Sequence, residues 1–213
     1  MTEPPVSPYQ LVLGTGLVGL HPRLREYFTG IPSGNVGIGR GVFDLVGTPR
    51  RWLWPVLWVL RRQKVLFPVW AQNVPFTVVN CPQSSPSARP TVSAVRTFHF
   101  GTGDRSMVDE ITAGPDGLVD DLGARRRYRV ALSATVDDGA LVMSSTSLRV
   151  RIGRRSLPIP KLVAPRVALV ERFDDATDLQ RVAVTVDLPL IGRLFYYAGA
   201  FRYEIKPSNW GQA

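Results

Sequence analysis

The chain predicts a mainly β fold: an antiparallel meander closed into a barrel or half-barrel, preceded by short N-terminal helices. Three observations carry this reading. From residue 74 onward apolar and polar residues alternate with period two, the pattern of strands that bury one face. Turn formers punctuate the alternating runs at Asp137-Asp138-Gly139, Gly114-Pro115-Asp116-Gly117 and Asp174-Asp175. Strands joined so briefly pair antiparallel, and a run of eight or nine leaves two exposed edges unless the sheet curls shut.

The predicted strands are 74–80, 91–100, 106–113, 117–122, 126–136, 140–153, 165–173, 180–188 and 194–205. A barrel of about eight strands, lipocalin-like in shape, has room for one small ligand. The 213 residues suffice for a single core, so residues 1–213 are read as one domain. Within it, 1–8 form a tail, 9–65 a helical and loop cap, and 66–205 the barrel. Residues 9–28 open weakly and then start a helix at Pro22, where a missing N–H costs nothing. The stretch TGIPSGNVGIGRGVFDLVGTP reads as a glycine-rich loop. Its GIGRG lacks the spacing and the preceding strand of a dinucleotide-binding turn.

A hydrophobic fraction of 45% and a charged fraction of 20% are ordinary for a folded globular chain. The lone cysteine, Cys81, has no internal partner, which suits a reducing cytoplasm. With only His21 and His99 beside it, zinc sites of Cys/His type are excluded, and neither a metal nor another cofactor is expected. The N-terminus MTEPPVSPYQ has no basic region leading into an apolar one, so no export signal is expected. The net charge of +9 favours anionic surroundings, either nucleic acid or the acidic inner face of a membrane.

Alternation assigns each strand two faces, and polar residues on apolar faces are the informative ones. In TVSAVRTFHF, Arg96 shares a face with Phe98 and Phe100; in RVALVERF, Glu171 lies among Val167, Leu169 and Phe173. A buried charge is costly unless paired, so Arg96 and Glu171 either pair inside the barrel or both meet a polar ligand. Desolvation would raise the Glu171 pKa while Arg96 would lower it, making Glu171 the candidate general base. In RLFYYAGAFRYEI, Tyr197 and Tyr203 bring hydroxyls to the aromatic face, and Gly199 between them leaves room for a ligand. Arg125, Arg127 and Arg129 read as one solvated strand face. The acid pairs Asp120-Asp121 and Asp174-Asp175 read as solvated turns. Neither histidine has a nucleophile and a carboxylate at recognisable spacing, so a hydrolase triad is not predicted.

The run RRWLWPVLWVLRR, residues 50–62, is far too short to span a bilayer. As a helix it is apolar nearly all round and must be sandwiched. It either caps an open barrel end as a lid, with Trp54 and Trp58 reaching the ligand, or rests on the barrel and dips into a membrane interface.

The stretches LHPRLREYF, GRGVFDLVG, VLFPVW, VPFTVVN, RTFHF, GLVDDLG, LPIPKL and DLPLIGRLFYYAGAF, in that order, resemble a bacterial family catalogued as domain of unknown function 4166. The resemblance runs from about residue 11 to residue 203. It implies a domain found both alone and at the C-terminal end of longer chains, joined to a dehydrogenase- or epimerase-like domain or a membrane segment. It transfers no catalytic residues. Members often carry tryptophan before the R-x-F element, where this chain has Val95.

The expected function is binding of a lipid, isoprenoid or polyketide-like molecule in a barrel cavity. The site would comprise Arg96, Phe98, Phe100, Glu171, Tyr197 and Tyr203, with Trp54 and Trp58. The alternative is a cofactor-independent cyclase or isomerase using Glu171, Arg96 and Tyr197 as its catalytic set. A third reading is a cytoplasmic adaptor peripheral to an acidic membrane. Nucleic acid is disfavoured because the aromatics fall on the inner face, away from the basic residues.

Overall fold

The computed structural model describes residues 5–84 and 89–208. Ser7 caps helix α1 (Pro8–Leu13) in a capping box with Gln10, and a 3-10 turn follows at Gly14–Gly19. Helix α2 (Pro22–Phe28) opens with proline, and the His21 Nδ1 accepts from the Arg23 N–H at 3.3 Å. Helix α3 (Trp54–Arg62) lies between the first two strands. The strands are β1 (Asn35–Gly47), β2 (Trp70–Ser84), β3 (Pro90–Phe98), β4 (Arg105–Gly114), β5 (Gly117–Leu122) and β6 (Tyr128–Asp137). They continue as β7 (Ala140–Ile152), β8 (Arg155–Pro158), β9 (Arg166–Asp174), β10 (Leu179–Leu188) and β11 (Gly192–Pro207).

All pairings are antiparallel. The sheet order is β6-β5-β4-β3-β2-β1-β11-β10-β9-β7-β8, and β6 also pairs with β7. That last ladder joins the two ends, so ten strands form a closed barrel and β8 hangs on the far end of β7 as a flap. Closure leaves no long edge open, which is the outcome the edge argument requires.

The sequence reading missed the short flap strand β8 and, within the barrel, β1. Its glycines, scarce in strands because they add entropy cost without side-chain packing, are needed by what crosses them. A Cβ on Gly37 would meet the Tyr203 ring, and one on Gly39 would lie 2.6 Å from Val78 and 3.0 Å from Phe201. One on Gly41 would lie 2.0 Å from the Ala200 carbonyl oxygen. The bare inner face of β1 thus lets rings from β11 lie across it. The β1–β11 register shifts between Phe43 and Leu45, a β-bulge at Asp44, while the β1–β2 register runs on unchanged. The cap expected over 9–65 therefore contains a barrel strand. Of the tail expected over 1–8, residues 1–4 lie outside the described residues, while Ser7 is buried and donates to the Phe28 carbonyl.

Two sets of connections define two ends. The tips of β4–β5, β6–β7 and β9–β10 lie at one end, which α1 and α2 cover; the His21 N–H donates to the Gly139 carbonyl there. At the other end lie the β1–β2 connection with α3, the β3–β4, β5–β6 and β10–β11 turns, and the β8 flap. The core between them is aromatic. Phe43 stacks on Phe76 at 3.8 Å and on Phe98 at 5.2 Å, and Phe67 meets Phe98 edge-on.

Candidate functional site

The barrel encloses a cavity of about 300 Å³. Aliphatic side chains make most of its wall, with Leu60, Val65 and Leu66 from α3 and its following loop closing one end and Tyr9 and Tyr27 closing the other. Into this wall project four acidic or basic side chains, each from a strand position whose neighbours two residues away are apolar. They are Arg96 (β3), Asp109 (β4), Asp120 (β5) and Glu171 (β9).

Arg96 and Asp109 meet diagonally across the β3–β4 ladder at 3.7 Å, Arg96 lying opposite Met107 and Asp109 opposite Ala94. Burial raises the Asp109 pKa and Arg96 opposes that rise. The guanidinium also lies 5.7 Å over the Tyr197 ring. Asp120 has no cation of its own. Desolvation and the Asp109 charge push its pKa well above the usual carboxylate range, and its Oδ1 is buried without a hydrogen-bond partner. Glu171 is 5% exposed and accepts from the Gln180 Nε2. Desolvation pushes it up to about 7, against the lowering effects of Gln180 and Arg96. The cavity therefore holds one ion pair and two carboxyls biased toward the protonated, hydrogen-bond-donating form.

Of the residues named from sequence, Arg96, Glu171 and Tyr197 line this cavity together. Arg96 and Glu171 are not partners, however: the arginine pairs with Asp109 and the glutamate with Gln180. Phe98 is wholly buried in the aromatic core rather than in the cavity wall, and Phe100 packs partly buried beside it. Tyr203 packs edge-on against Tyr27 at 4.4 Å. Trp54 is partly buried against the core, and Trp58 is 47% exposed with the Arg62 guanidinium 4.5 Å over its ring, so neither reaches the cavity. Gly199 leaves no room beside the tyrosines, since a Cβ there would meet the Val42 carbonyl oxygen at 2.2 Å.

Asp109 and Asp120 escaped the sequence reading although they carry the same signature as Arg96. Met107, Asp109 and Ile111 share a face, as do Leu118, Asp120 and Leu122. Each aspartate is followed by a second acid, which imitates a solvated turn. The second acids point the other way and find arginines: Asp121 is held by Arg129 through two bonds of 2.8 and 2.7 Å, and Glu110 by Arg126. Arg125, Arg126 and Arg127 precede β6, so they do not share a strand face with Arg129.

On the outer wall, His99 sits 3.2 Å from the Thr77 hydroxyl and 3.1 Å from Asp104, the order of a nucleophile relay. Its carboxylate is solvent-exposed, and none of the three lines the barrel cavity, so no substrate is held against it there. Among the described residues no group of three or more His, Cys, Asp or Glu side chains is placed to hold a metal ion.

The model of the family described as a domain of unknown function, DUF4166, matches residues 20–201. The chain belongs to this family. The DUF4166 match begins at Leu20, just before α2, and ends at Phe201 in β11, so it takes in all ten barrel strands. The chain is also 25% identical over 141 residues to the uncharacterized protein YndH of Bacillus subtilis (strain 168), covering 64% of this chain and 68% of that one. No solved structure matches it. Val95, the position at which the resemblance implies a tryptophan in other members, is 41% exposed on the outer wall, so an aromatic there does not face the cavity.

Proposed function

We propose that the barrel binds an apolar or amphipathic small molecule, of lipid, isoprenoid or polyketide type, with its polar group at the Arg96, Asp109, Asp120 and Glu171 cluster. The observation that carries this reading is the unpartnered Asp120 Oδ1 inside a mainly apolar cavity. A buried polar atom without a partner is destabilising, and a ligand hydroxyl, carbonyl or amine placed there would satisfy it. About 300 Å³ is at the small end of ligand pockets, which suits a compact ring system or a short chain. Native mass spectrometry of freshly purified protein, followed by solvent extraction, tests it. A stoichiometric adduct, lost on Asp120→Leu, is the expected result. An apo mass that persists after incubation with a broad lipid extract would remove the reading.

One observation favours turnover as a second reading. Glu171, raised to about 7, can accept a proton near neutral pH, while Asp120, raised well above the carboxylate range, can donate one from the same cavity. A cofactor-independent cyclase or isomerase needs that division of labour. Arg96 and Tyr197 would then steady developing negative charge. Conversion of the extracted compound by the parent protein but not by Glu171→Gln separates catalysis from binding.

A further inference from the structure

The barrel's two ends differ in what they show to solvent. At the α3 end, the face of residues 50–62 turned away from the barrel exposes Trp52 (61%), Val56 (56%), Trp58 (47%) and Val59 (59%). Its other face buries Leu53 and Leu57. The segment expected to be sandwiched is therefore covered by protein on one side only. The neighbouring connections do the same. Ile152 and Leu157 at the β7–β8 turn, and Leu162 and Val163 in the loop after it, are each 48% to 68% exposed. Leu190 at the β10–β11 tip is 95% exposed, in a left-handed conformation (φ 66°) that suits asparagine or aspartate far better than leucine. These segments adjoin: Asp187 pairs with Arg166, joining the Leu190 tip to the loop after β8, and the Arg50 guanidinium lies against Gly192.

Charge follows the same division. The connection carrying α3 contains Arg50, Arg51, Arg61, Arg62 and Lys64 and no carboxylate. The β5–β6 turn adds Arg125 and Arg127, and the β8 flap with its loop adds Arg154, Arg155 and Lys161, again without a carboxylate. Among this end's connections the acidic exception is Asp104, beside His99. The hairpin tips at the opposite end carry Asp116, Asp138, Asp175 and Asp178.

We infer that the α3 end docks onto the surface of an anionic phospholipid bilayer, with Trp52, Val56, Val59 and Leu190 entering the headgroup region and the arginines meeting lipid phosphates. Exposed aliphatic side chains ringed by arginine fit an interface that is apolar below and anionic above. They fit nucleic acid less well: Trp52 and Trp58 are exposed, which corrects the expectation that the aromatics lie away from the basic residues, but Arg62 already covers the Trp58 ring and the rest of the patch is valine, leucine and isoleucine, which offer no surface for base stacking. No helix of the described residues is long and apolar enough to cross a membrane; the contact inferred is with the bilayer surface. The cavity and its ligand are not needed for it.

Co-sedimentation with vesicles of phosphatidylcholine alone, and of phosphatidylcholine with phosphatidylglycerol, tests the inference, with tryptophan emission followed in parallel. The protein should pellet with the anionic vesicles only, with a blue shift, and less at high salt. Arg61→Ala and Arg62→Ala should each lower partitioning by roughly fivefold. Leu190→Asp is chosen because the position is exposed and left-handed, so the fold tolerates it; it should lower partitioning at least as much while any cavity adduct survives. Three outcomes would overturn the inference: protein that stays in the supernatant with anionic vesicles at low salt, vesicle binding indifferent to Leu190→Asp, or a dimer in solution that Leu190→Asp dissociates.

Discussion

Replacing Glu171 with glutamine should flatten part of the protein's pH dependence of stability. In the fold this carboxyl is lifted from an ordinary 4.5 to about 7, chiefly by desolvation. At 1.36 kcal/mol per pH unit that difference is equivalent to about 3 kcal/mol. Between those pH values the folded protein keeps a proton that the unfolded chain has released, so stability falls as pH rises through the window. The contribution is complete below about 4.5 and lost above about 7. Little discount for solvent screening applies to a side chain only 5% exposed. Glutamine keeps an oxygen to accept from Gln180 but cannot ionise. Urea unfolding of parent and variant should show a gain of about 3 kcal/mol for Glu171→Gln at pH 8 and close to none at pH 4.5, with equal slopes against denaturant. A difference that is the same at both pH values would refute the claim that this site opposes ionisation.

Arg96→Met should cost about 3–5 kcal/mol at neutral pH because it strands the Asp109 carboxylate. Adding Asp109→Asn should recover most of that loss, measured as a double-mutant cycle. Gly41→Ala should destabilise by about 1–3 kcal/mol in thermal or chemical unfolding, since its methyl would collide with the Ala200 carbonyl, a backbone atom that cannot swing aside.

The barrel strands from β2 to β11 were legible because their inner residues are apolar at every second position, and Arg96, Glu171 and Tyr197 stood out against that background; β8, exposed throughout, gave no such pattern. The same background made Asp109 and Asp120 readable in principle. What concealed them was local: an adjacent acid on the opposite face, whose arginine partner arrives from β6 or the turn before it, a pairing that periodicity does not specify. β1 was hidden for another reason. Its inner face is shaped by rings from β11, so its glycines make sense only after the partner is known. α3 was half legible. Its length and apolar character were plain, but an all-apolar helix says nothing about whether protein or lipid covers its second side.

The seam between β1 and β11 also bears on how the chain reaches its fold. Asn35 pairs with Pro207, so the earliest strand waits for the latest before the cylinder can close. At translation speeds of about 5–20 residues per second, the interval between those two residues leaving the ribosome is roughly 10–30 s. Through that time β2 to β10 can add hairpin by hairpin, while the unfinished sheet keeps a free edge and an uncovered aromatic inner face. Such nonlocal closure is intrinsically slow. A chain that waits this long with an open edge is exposed to aggregation, which makes its yield sensitive to synthesis rate, temperature and chaperone supply.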